Sequence, residues 1–249
     1  MDETEPILSS APDQEPNQGE EGSGVDNSDD QKDRERHLTE VRKMAEAVRY
    51  GDYPLTDENY FVDYWRECMD EEDKTGRESE LSHELHSLRG GTLIDLGSGK
   101  IDASFIPGIA KHYGAEKYIG VDRYYEGNDE FAFRRLMEFY HNDQTKLPQI
   151  EAVNEDGLMF LTQQPGNSAS ICINRLDETI MSYVESLAEG PAKRYVEALA
   201  IEIARVIGKD HMVFGYESPA IFMAMRRSKF FEESNIKGKS FSFFRLKSQ

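Results

Sequence analysis

The sequence predicts an α/β fold in which a mostly parallel sheet is covered by helices on both faces and preceded by a helical extension. Three observations predict it. From Gly91 onward, short apolar runs alternate with stretches of helical spacing, the order that builds parallel strands through helical crossovers. The first of those runs, Leu93-Ile94-Asp95-Leu96, passes straight into Gly97-Ser98-Gly99 and then a helical stretch. Ahead of Gly91 there is helical spacing without strand alternation. The chain has 249 residues, enough for one good-sized domain with appendages.

Residues 1–36 hold 12 acids and 3 bases, a net charge of −9, and no aromatic residue. Such a segment buries too little apolar surface to offset the entropy of ordering, so it reads as a disordered acidic tail. Its first residues lack the basic and apolar regions of a secretory signal, and no run of 18 apolar residues occurs in the chain. With only Cys68 and Cys172, no disulfide framework is expected and a reducing cytoplasm fits. Val41, Met44, Ala45 and Val48 give a one-sided helix over about 40–50. The run Tyr60 to Trp65 is the most aromatic in the chain and suits either a core patch or a cover over a site. Leu81, Leu85 and Leu88 continue the helical spacing until Gly90-Gly91 ends it. Residues 37–89 therefore read as a helical N-terminal extension or lid, and residues 90–249 as the main domain.

Within that domain the expected strands are 92–96, 117–121, 150–153, 169–173 and 212–216, with helices over 101–113, 130–140 and 192–207 between them. The helix over 192–207 carries the strongest pattern, with Val196, Leu199, Ala200, Ile203, Val206 and Ile207 on one face. A helix over 219–227 and an apolar strand over 241–246 close the chain.

The segment with chemical content is Asp95-Leu96-Gly97-Ser98-Gly99-Lys100. Two close glycines let backbone approach a ligand where a Cβ would obstruct it. A dinucleotide fingerprint requires a third glycine at position 102, which is Asp102, so NAD and FAD are disfavoured. A phosphate-binding P-loop requires Gly at 94 and Ser or Thr at 101; both are Ile. An acid at the end of the strand before Gly-x-Gly resembles the first-strand motif of the class I methyltransferases that use S-adenosylmethionine. The third glycine of the full motif is here Ile101. The resemblance spans roughly residues 90 to 216, about half the chain. It implies a Rossmann-like, doubly wound, mostly parallel sheet of seven strands with the last antiparallel, for which 241–246 is the candidate.

The resemblance also implies site residues. Asp95, Gly97, Ser98 and Gly99 form the cofactor turn, and an acid there suits a ligand bearing a sulfonium and an ammonium. Asp122 ends the second strand 23 residues after Gly99, where the family's acid accepts hydrogen bonds from both ribose hydroxyls. After the third strand, Glu155 or Asp156 takes the place beside the adenine amino group, with Asp156 preferred because Gly157 follows it. Asn174 and Asp177, after the fourth strand, fall where the family sets groups that meet the acceptor. Asp177 and Glu178 also suit a helix start. The implied activity is transfer of a methyl group from S-adenosylmethionine to a small-molecule nitrogen or oxygen, with His211 or Asp177 as the base if the acceptor arrives protonated. The alternative is a non-catalytic domain that keeps this fold as a ligand-binding or protein-interaction platform.

Other chemistries are disfavoured by the same residues. The formal net charge of −19 repels a phosphate backbone, and the Asn- or Asp-Pro-Pro-aromatic pattern of amino-methylating nucleic-acid enzymes is missing. His83-Glu84-Leu85-His86 lacks the second histidine at 87 that a zincin helix needs, so no metal is expected. Cys172 lies in an apolar strand and reads as a buried, inert side chain.

Overall fold

The computed structural model describes residues 27–47, 60–98, 106–122, 149–174, 176, 190–216, 219–234, 236 and 241–247. Helices α1 (Asn27–Ala47), α2 (Tyr60–Thr75) and α3 (Glu80–Leu85) come first, followed by a short 3-10 turn, His86–Leu88. Then come β1 (Thr92–Leu96), α4 (Ile106–His112), β2 (Lys117–Val121), β3 (Gln149–Val153), α5 (Gly157–Gln163) and β4 (Ser170–Asn174). The chain continues through α6 (Gly190–Ile207), β5 (Val213–Tyr216), α7 (Pro219–Arg227), β6 (Phe231–Glu233) and β7 (Phe241–Leu246).

The strands form one seven-stranded sheet in the order β3-β2-β1-β4-β5-β7-β6. Strands β1 to β5 pair in parallel, and β7 runs antiparallel to both β5 and β6. Seven strands with an antiparallel β7 is the arrangement the resemblance implies. The order reverses between β1 and β4, the switch point beside which open α/β sheets bind ligands at the carboxyl ends of their strands.

Alternation along each strand divides the core in two. Ile94, Leu96, Ile119, Val121, Ile171, Ile173, Val213 and Phe244 join α1, α5, α6 and α7 on one face. Leu93, Tyr118, Cys172, Phe214 and Phe243 join α3 and α4 on the other, with Trp65 of α2 packed against them. The helical extension is thus shared between both faces. Val41 and Ala45 of α1 are buried on the first, and Leu81 and Leu85 of α3 on the second. Glu84 of α3 accepts from the Arg245 guanidinium at 2.7 Å, fastening α3 to β7.

The described elements differ from the expected ones at several places, and some expected elements fall outside them. The acidic tail was expected to reach residue 36, but α1 begins at Asn27, so 27–36 are helical; residues 1–26 lie outside the described ones. The first half of α1 carries only exposed polar side chains where they are described, which is why apolar spacing did not reveal it. Helix α5 and the three-residue strand β6 were also not expected. The helix expected over 101–113 is described only from Ile106, and the one expected over 130–140 lies outside the described residues. Trp65 stands in α2 with its indole N–H donated to the Tyr113 hydroxyl at 3.2 Å and its ring edge-on to His112. These contacts pack the ring against the C-terminal end of α4.

Candidate functional site

Pairing brings the expected cofactor residues to one edge of the sheet. Leu96 is opposite Val121 on one side and Ile173 on the other, and Val121 is opposite Val153. The turn after β1, the end of β2, the end of β3 and the end of β4 therefore lie side by side. Two hydrogen bonds knit the first pair: the Gly97 and Ser98 N–H groups donate to the Val121 carbonyl at 2.9 and 3.4 Å. A third, from the Asp122 N–H to the Val153 carbonyl at 3.0 Å, ties the second strand end to the third. Gly97 has φ +73°, the left-handed region where a Cβ costs about 1–2 kcal/mol. Glycine lets the chain leave β1 at this angle.

Asp95 is 2% exposed in the middle of the sheet, opposite Gly120 of β2 and Cys172 of β4. Its Oδ2 accepts from the Tyr118 hydroxyl at 2.8 Å. Among the described residues its Oδ1 has no hydrogen-bond partner. Burial pushes its carboxyl up to about 7; the Tyr118 hydroxyl opposes the rise and the Asp122 charge adds to it. The Cys172 thiol is raised well above its ordinary value, chiefly by burial and then by the Asp95 charge, as the sequence reading of an inert cysteine expects.

Asp122 lies immediately beyond β2 and is 9% exposed, so its carboxyl is set among strand ends rather than out in solvent. Asp156 caps α5. Its Oδ1 accepts from the Leu158 and Met159 N–H groups at 3.0 and 3.1 Å, and its Oδ2 from the buried Tyr195 hydroxyl at 3.0 Å. Its carboxylate thus has a structural duty that the sequence reading did not foresee. Glu155 is half-buried beside it and accepts from the Gln163 side chain at 2.8 Å. Among the described residues a Cβ on Gly157 would meet Leu96, at an ordinary 3.5 Å from its Cδ2 and 4.0 Å from its Cβ, so packing against them does not demand glycine there.

Asn174 is the last residue of β4, opposite Tyr216. Gly99 and Asp177 lie outside the described residues. His211 stands at the opposite edge of the sheet, ahead of β5, with its ring 3.8 Å from where a Cβ on Gly91 would be. Gly91 precedes β1, so His211 is at the amino ends of the strands, at the other end of the sheet from Asn174, and the expectation of a base there does not hold. Burial also lowers its pKa.

Tyr118 and Tyr195 were not singled out from sequence. Alternation along β2 places Tyr118 on the same face as Gly120 and Asp122, and that signal could have identified it. Nothing local in α6 marks Tyr195, because its partner Asp156 is 39 residues away.

The seven-strand order, the switch point at β1/β4 and the left-handed Gly97 after a buried acid agree with one architecture. It is the arrangement that the resemblance to the class I methyltransferases implies. No protein-family model and no curated protein matches the sequence. Among solved structures, a Streptococcus mutans protein in complex with SAH has 14% identity over 67% of this chain and 96% of its own, with a TM-score of 0.43. A TehB-like SAM-dependent methyltransferase from Corynebacterium glutamicum has 15% identity over 76% of this chain and 99% of its own, with a TM-score of 0.40. An rRNA methylase from Streptococcus thermophilus has 12% identity over 67% and 94%, also with a TM-score of 0.40.

Among the described residues, no helix is long and apolar enough to cross a membrane, and no group of three or more His, Cys, Asp or Glu could hold a metal.

Proposed function

We propose that the chain is an S-adenosylmethionine-dependent methyltransferase acting on a small-molecule nitrogen or oxygen. The observation that carries this reading is the buried Asp95 carboxyl, one oxygen of which has no hydrogen-bond partner among the described residues, two residues ahead of the left-handed Gly97. A buried acceptor without a donor is costly, and a cationic ligand over the turn offsets that cost where a phosphate would worsen it. The donor set therefore fits this cofactor. Asp95, Gly97, Ser98 and Gly99 hold its amino-acid end, Asp122 the ribose hydroxyls, and Asp156 with Gly157 the adenine edge. The cofactor supplies a methyl group already activated by its positive sulfur. The chain's own work is to orient the acceptor and exclude water. Asn174 and Asp177, at the end of β4 and just beyond, are the groups assigned to the acceptor.

S-adenosylhomocysteine should raise the melting temperature by mass action, by the equivalent of about 2.7 kcal/mol at a hundred times its Kd. Gly97→Val and Asp122→Ala should abolish or weaken that shift. Asn174→Ala and Asp177→Ala should lower turnover of small amines, acids or phenols while cofactor affinity stays near normal. Undiminished binding in both cofactor variants would remove the site, and binding without transfer would favour the non-catalytic platform.

A further inference from the structure

In the sequence Asp95 stands as an acid suited to a cationic ligand, and its surroundings are those of a group that gains and loses a proton. Facing it are the Tyr118 hydroxyl from β2, the Asp122 carboxylate just beyond β2 and the Cys172 thiol from β4. Among the described residues no Lys, Arg or His pairs with it. The strands around it are lined by the apolar cluster of Leu93, Phe214 and Phe243 with α3 and α4. Among the described residues its Oδ1 has no partner, its Oδ2 accepts from Tyr118 at 2.8 Å, and the only other donor toward the carboxyl is the weak Cys172 thiol. A carboxylate so placed lacks the solvation and donors that stabilise its charge, and the second carboxylate on the same side works against it.

We infer that Asp95 is the proton-linked acceptor of the cofactor site: it is neutral when the site is empty, ionises when a cation sits over the Gly97 turn, and relies on Tyr118 as the positioning residue that makes ionisation possible. This inference rests on the S-adenosylmethionine reading given above and adds its regulation by pH. When Asp95 ionises, its carboxyl O–H bond breaks, the electron pair stays on the carboxylate and the proton passes to solvent. Linkage then requires affinity to rise with pH across the titration range of Asp95, about tenfold per unit below it, and to level off above. The Asp95 pKa of about 7 puts that range at ordinary cellular pH. The Tyr118 hydroxyl donates to the charged form, so without it Asp95 should ionise only at higher pH.

The test is calorimetry of S-adenosylmethionine and S-adenosylhomocysteine binding to the full chain between pH 5.5 and 7.5, in buffers of different ionisation enthalpy. Close to one proton should be released per ligand at pH 6 and none from Asp95→Asn. Tyr118→Phe, which keeps the ring that fills the core, should lose more affinity at pH 6 than at pH 7.5; a residue that only packs would lose the same at both. Carbon NMR of the ligand-free chain should show the Asp95 carboxyl titrating near neutrality, and moving upward in Tyr118→Phe. Binding with no proton release and parallel pH profiles would overturn this inference and leave the methyltransferase reading standing. Absence of binding at every pH would overturn both.

Discussion

Asp95 makes its own contribution to stability depend on pH, because the folded chain holds a proton there that the unfolded chain gives up. Its carboxyl lies at about 7 in the fold against 3.8 in an unstructured chain, so between those values the folded state binds more protons. Stability from this group therefore falls as pH rises from about 4 to about 7 and is flat beyond. Asp95→Asn removes the ionisation and keeps the shape. It should stabilise the ligand-free chain at pH 8 by as much as about 4 kcal/mol and much less at pH 5. Urea titrations at the two pH values check it, and an equal difference at both would mean that Asp95 does not titrate in this range. The placement of Asp95, Gly97 and Asp122 at or beside neighbouring strand ends was legible in the sequence, because local pattern fixes where each strand and turn lies. What surrounds them was not legible. The Tyr118 bond spans 23 residues and the Tyr195 bond 39, and such pairs appear only once the strands and helices have met.

Element by element, legibility followed the source of each element's stability. Strands β1, β2 and β7 and helix α7 coincide with the sequence reading because their apolar residues face a core on a regular period. Strand β6 has three residues, of which Phe231 alone is buried, so there is no period to detect. Helix α1 is the instructive case. Its buried contacts, Val41 and Ala45, lie in its second half. Its first half is supported by an Arg36–Asp33 pair at 2.8 Å and by His37 against the buried Glu202 of α6 at 3.1 Å. Removing residues 1–26, which contain no aromatic residue, should leave the melting temperature almost unchanged. Removing 1–47 strips Val41, Ala45 and half-buried Met44 from the face they share with α5 and α6. Full burial of one Val is worth about 1.5–3 kcal/mol, so this truncation should lower the melting temperature by many degrees or yield insoluble protein. Calorimetry of both truncated chains distinguishes them, and an unaltered transition after removing 1–47 would show that α1 contributes no packing.

At the scale of the molecule, charge sets the response to salt. The net charge of −19 makes the compact state repel itself, a long-range effect that salt screens within a Debye length of about 8 Å at physiological ionic strength. Opposing it are ion pairs at the surface, such as Arg36–Asp33, Lys43–Glu40 and Lys193–Glu197, whose side chains are more than half exposed. Such pairs are worth about 0–1 kcal/mol each and are weakened by the same salt. The better-protected pairs, Arg245–Glu84 and Arg205–Glu202, are partly withdrawn from solvent and respond less. Repulsion among many like charges should therefore outweigh the loss of a few exposed pairs. The melting temperature should rise between 20 and about 300 mM sodium chloride, the range over which the Debye length drops below typical spacings between surface charges. Thermal unfolding at fixed pH 8 measures this directly. A fall in melting temperature over the same range would mean that the exposed ion pairs, and not the excess of acid, dominate the electrostatic balance of the fold.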